Sequence, residues 1–61
     1  MKRINKEVKK NEVRYTYEVA NKMEVRRLVF NRERIFKNSI GAFGGFSNAM
    51  GHYYVTIQYA R

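Results

Sequence analysis

Twenty-three consecutive residues of this 61-residue chain, "NSIGAFGGFSNAMGHYYVTIQYA" from Asn38 to Ala60, carry no fixed charge, although the whole chain has thirteen Lys and Arg against five acidic residues. Within that stretch His52 is the one residue of a type that can gain a charge near neutrality. A charge in a packed region must be paired or neutralised, so a long uncharged run marks the part of a chain that packs. Residues 1–37 hold twelve of the basic residues and all five Glu, a net +7, and Arg61 completes the +8. The chain thus divides into a packing half, 38–60, and a presenting half, 1–37.

The length allows one small domain, 1–61, which buries only about 60% of the surface its unfolded chain exposes. Fifteen Leu, Ile, Val and Phe residues are close to the minimum for a self-sufficient core. There is no Cys, which removes disulfides and thiolate metal sites, and a single His does not make a zinc centre. Oligomerisation, most simply as a homodimer, or ordering on a partner is the remaining support.

The alternation of Val13, Tyr15, Tyr17 and Val19 with Arg14, Thr16 and Glu18 predicts a half-buried strand over 13–19. Tyr53, Val55, Ile57 and Tyr59 predict a second strand over 53–60, pairing antiparallel with the first. Residues 22–38 admit two readings. Val25, Leu28, Val29, Ile35, Phe36 and Ile40 form one helical stripe, interrupted by Arg32. Asn21 followed by Glu24 has the form of a capping box, and Glu33 to Lys37 is an i,i+4 pair. These favour a helix over 22–38. The alternative is a mostly β chain with 23–30 as a further strand. Residues 41–51, with four glycines, are expected to be a loop. Residues 1–10 fit a flexible basic arm, a short helical turn, or a strand pairing back through Lys9-Lys10-Asn11. The expected fold class is a small α+β unit.

On the 22–38 helix, the face opposite the apolar stripe holds Arg26, Arg27, Arg34 and Lys37, with Met23 and Phe30 among them. Cations that take phosphate beside a ring that stacks on a base suit nucleic acid. Lys9 and Lys10 add charge from the N-terminal segment, and Phe43 and Phe46, between glycines, are loop contacts of the same kind. The structural counterpart is a solvated helix face with Phe30 packed on the arm, and a loop whose Phe rings plug the core edge. The glycines match neither a phosphate-binding loop nor a dinucleotide fingerprint, since no Gly-Lys-Ser/Thr occurs.

His52 is the only side chain whose unperturbed pKa suits general base work, and no Cys stands by as a nucleophile, so the chain is expected not to be an enzyme and to use no cofactor or metal. The start, "MKRINKEVKK", has no apolar run behind its charges and does not read as a secretory signal. Residues 38–60 are too polar to span hydrocarbon. Without a strongly apolar basic helix, membrane binding ranks below both macromolecular partners. The expectation is a non-catalytic, basic, cytoplasmic protein that binds nucleic acid, DNA or RNA, through the Arg/Lys face. A different class stands beside it: a small inhibitor or modulator, of the kind phages and mobile elements encode, docking on the acidic surface of a cellular protein.

Overall fold

The computed structural model describes residues 2–61; Met1, the first residue of the expected arm, lies outside the described residues. Strands β1 (Lys2–Val8) and β2 (Glu12–Val19) are followed by helices α1 (Lys22–Phe30) and α2 (Arg32–Ile35), then by strands β3 (Ser39–Ser47) and β4 (His52–Ala60). All neighbours are antiparallel, in the order β1-β2-β4-β3. Both expected strands are present, and they pair with Tyr15 opposite Ile57 and Tyr17 opposite Val55.

The two-residue period decides the faces. Val19, Val55 and Ile57 turn to the helix side and form the core with Val25, Leu28 and Phe36. Val55 and Ile57 have no exposed surface, and burying each contributes about 1.5–3 kcal/mol. The other face has no helix on it. At its centre the Thr16 and Thr56 hydroxyls meet at 3.0 Å, which satisfies the nearly buried Thr56.

Helix α1 begins where the capping pattern places it. The Asn21 side-chain oxygen accepts from the Glu24 N–H at 2.9 Å, and the Glu24 carboxylate accepts from the Ala20 N–H at 3.3 Å. The helix does not run to residue 38. Asn31 stops it: its N–H and its side-chain Nδ2 both bind the Arg27 carbonyl, at 3.0 and 2.8 Å. The four-residue α2 then ends before Phe36, and Asn38 turns the chain into β3 at φ 70, a left-handed conformation that Asn tolerates. Without a continuous helix the Glu33–Lys37 pair does not form; Glu33 lies 3.7 Å from Arg32 instead. The rival reading holds in part: strands make up more than half of the described residues, as a mostly β chain requires, but 23–30 is helix and not a further strand. The described part of the arm, residues 2–8, is an edge strand, the third of the three readings of that segment.

The expected loop over 41–51 is mostly strand. Residues 41–47 belong to β3, and only residues 48–51 turn, with Gly51 at φ 74. Local propensity disfavours glycine in a strand, but the packing here requires it. A Cβ on Gly44 would collide with the Tyr54 carbonyl oxygen and come within 3.0 Å of Val25 Cγ1, so glycine is what lets α1 lie close to the sheet.

Candidate nucleic-acid interface

Helix α1 covers β3 and β4 with Val25 and Leu28 and turns its other side outward. Arg26 and Arg27 are exposed, and Met23 and Phe30 are 80% and 82% exposed. Phe30 is therefore not packed on the N-terminal segment. Between α1 and β3 runs a groove of about 350 Å³ lined by Val25, Arg26, Val29, Phe30, Ala42, Phe43 and Gly44. Phe30 also borders a second hollow, shared with Arg32 and Arg34 around the Asn31 break. Arg26 reaches along the other side too, into a hollow with Lys22, Phe46 and Tyr53, where the Phe46 and Tyr53 rings meet edge to face at 5.1 Å.

The structure thus brings Arg26, Phe30, Arg34 and Phe46 to one side of the molecule, whereas Phe43, opposite Thr56 on β4, turns to the uncovered face and borders the α1–β3 groove only from its strand. Phe43 and Phe46 sit on a strand and not on a loop, and both remain about half exposed. Arg27 is exposed on α1 and Lys37 is exposed beyond α2, but neither lines these hollows. Lys9 and Lys10 lie in the β1–β2 turn, on the half of the sheet away from β3, and Lys9 faces Glu7 at 3.5 Å.

The face carries an excess of positive charge. Four of the five Glu are engaged away from it, Glu7 with Lys9, Glu12 with Arg14, Glu18 with His52 and Glu24 at the α1 cap, while Glu33 lines the hollow of Phe30 and Arg34 and lies 3.7 Å from Arg32. Among the described residues, Arg26, Arg27, Arg34 and Lys37 form no ion pair. Arg32, which interrupts the apolar stripe, has a structural task. Its guanidinium donates to the Ser39 carbonyl and, at 3.1 Å, to Ser39 Oγ, tying α2 to the start of β3.

A second basic and aromatic surface was not legible from the sequence. On the helix side of β1 and β2, beyond the reach of α1, Arg3, Val13, Tyr15, Tyr17, Tyr59 and Ala60 line a hollow of about 490 Å³. Arg3 and Lys6 stand over the Tyr15 ring, 5.4 and 5.6 Å from its centroid. The signal was the spacing of Arg3 and Lys6, which has meaning only once β1 pairs with β2 and sets Arg3 opposite Tyr17 and Lys6 opposite Tyr15.

His52 is held by structure. One ring nitrogen lies 3.1 Å from the Tyr53 carbonyl and the other 3.4 Å from the Glu18 carboxylate. Among the described residues no three His, Cys, Asp or Glu side chains gather to hold a metal, and no helix is long and apolar enough to cross a membrane. No family model, curated protein or solved structure matches the chain.

Proposed function

We propose that this protein is a non-catalytic nucleic-acid-binding protein that takes single-stranded segments across the α1 face. The observation that supports this most is Phe30, 82% exposed between Arg26 and Arg34 with no carboxylate paired to either arginine. Leaving a Phe in water forgoes about 1.5–3 kcal/mol of burial. A base stacked on the ring recovers comparable energy, about 1–3 kcal/mol, while the arginines neutralise flanking phosphates. Duplex presents no free base face to such a ring unless it is kinked, so unpaired segments are the better match.

The test is a titration of wild type with single-stranded DNA, single-stranded RNA and duplex at three salt concentrations. Single strands bind more tightly than duplex, and log affinity falls linearly with log salt. Replacing Arg26 and Arg27 together by Ala removes two cations and flattens the slope by about 1.4, at roughly 0.7 per phosphate contact on single strands. Absence of binding at the lowest salt overturns the proposal and transfers the face to an acidic protein surface.

A further inference from the structure

The two edges of the sheet are unlike. Edge strand β1 carries Lys2, Arg3, Lys6 and Glu7, the charges that ordinarily keep an edge from pairing with another chain. Edge strand β3, nine residues long, carries no charge at all, in a protein of net +8. Among the described residues its outer backbone groups face no strand, and Ile40, Phe43 and Phe46 along it are 57%, 43% and 51% exposed.

Its sequence also reads alike from both ends in side-chain size. About Phe43, Ala42 mirrors Gly44, Gly41 mirrors Gly45, Ile40 mirrors Phe46, and Ser39 mirrors Ser47. Two copies of one strand laid antiparallel about a two-fold axis at Phe43 place small residues opposite small and large opposite large. The register onto β4 sets Gly41, Phe43 and Gly45 on the uncovered face with Gln58, Thr56 and Tyr54. The two Phe43 rings then meet at the axis, with glycines on either side in both copies leaving them room. On the helix side Ala42 and Gly44 line the middle of the seam, with Phe46 only toward its ends, so the two α1 helices are not forced apart at the axis. The irregularity near Ile40 falls outside this central five-residue match.

We propose that β3 pairs with β3 of a second copy of this chain, joining the sheets into eight continuous strands. A two-fold axis perpendicular to the sheet keeps both α1 helices on one face, with Arg26 and Phe30 of each copy flanking a common seam. The self-complementary strand favours a second copy over a foreign peptide, because nothing along it reads an added charge or a distinct side chain. The proposal does not depend on nucleic-acid binding, and the two separate by salt. Association of two +8 chains strengthens as salt screens their repulsion, whereas phosphate binding weakens.

Sedimentation equilibrium of wild type over a micromolar range should show twice the 7.3 kDa chain mass, with tighter association at higher salt. Phe43→Lys sets like charges directly opposite each other at the axis, and Gly45→Lys, opposite Gly41 of the second copy, fills the room beside the Phe43 rings with a charged side chain; each variant should sediment as a 7.3 kDa monomer with an unchanged circular dichroism spectrum. Gly45 has open space where a Cβ would stand, so its replacement tests the edge without disturbing the fold. The chain has no Cys, so Phe43→Cys gives a single thiol, which should cross-link to its own copy on oxidation, whereas Gly45→Cys should not. A wild type that stays monomeric at the highest salt, dimers that survive both lysine variants, or cross-linking at Gly45→Cys without Phe43→Cys each overturns the proposal.

Discussion

Phe36 stacks on Tyr17, with ring centroids 5.9 Å apart and planes 29° from parallel. The contact fastens the end of the helical segment to β2, so two Phe residues six positions apart have opposite environments. Phe36 is 8% exposed and Phe30 is 82% exposed. Phe36→Ala should cost about 3–5 kcal/mol, enough to leave a domain this small largely unfolded. Phe30→Ala should leave the melting temperature where it was and cost about 1–3 kcal/mol of single-strand affinity with the salt slope unchanged. Thermal melts and titrations of the two variants make the comparison. A Phe30→Ala protein that melts early would place the ring in the core.

Gly44 and Gly45 are adjacent on β3 and should respond oppositely to a methyl group. Gly44→Ala drives its Cβ into the Tyr54 carbonyl and against Val25, and should destabilise by about 1–3 kcal/mol. Gly45→Ala meets nothing within 4 Å and should be neutral or stabilise by up to about 1 kcal/mol through the unfolded chain. Denaturant midpoints of the two variants decide it, and equal losses would mean that α1 does not press on the strand at Gly44.

Tyr59 has its phenol pKa raised above the ordinary 10.0, first by burial and then by the neighbouring Tyr17 and Tyr15 hydroxyls when they ionise. The folded state therefore holds the neutral phenol more strongly than the unfolded state does. That stabilisation is complete below pH 10 and is lost as pH rises through the folded-state value. In an alkaline spectrophotometric titration Tyr59 should be among the last tyrosines to ionise. Tyr59→Phe, which cannot ionise, should make the melting temperature fall less steeply above pH 10. An identical fall in wild type and variant would assign the alkaline loss to another group.

Strands β2 and β4 were legible because each alternates in side-chain character over seven or more residues, and the buried positions Val19, Val55 and Ile57 are those the alternation names. The start of α1 was legible because Asn21 and Glu24 bond locally. Strand β3 was not, since Gly44 serves partners distant in sequence, Val25 on α1 and the Tyr54 carbonyl, and local propensity is silent about that. Strand β1 was ambiguous because an edge exposed along nearly its whole length needs no apolar alternation. For the site, helical spacing already placed Arg26, Phe30 and Arg34 on one face. The stop at Asn31 moved Lys37 away from it, and pairing of β3 with β4 carried Phe46 toward it and turned Phe43 to the other face of the sheet.

The hydroxyl pair Thr16–Thr56 joins residues forty apart in sequence, at the middle of the β2–β4 ladder, which links the two hairpins. Each hairpin closes over a short turn, on the microsecond scale of such events, whereas the ladder between β2 and β4 must wait for a much longer segment to close. The folding rate is therefore set by the meeting of two halves, and it responds to the length and stiffness of the α1–α2 connection more than to either turn. The amides of Tyr15–Tyr17 and Val55–Ile57, which become accessible only when those halves part, should be the last in the protein to exchange with deuterium.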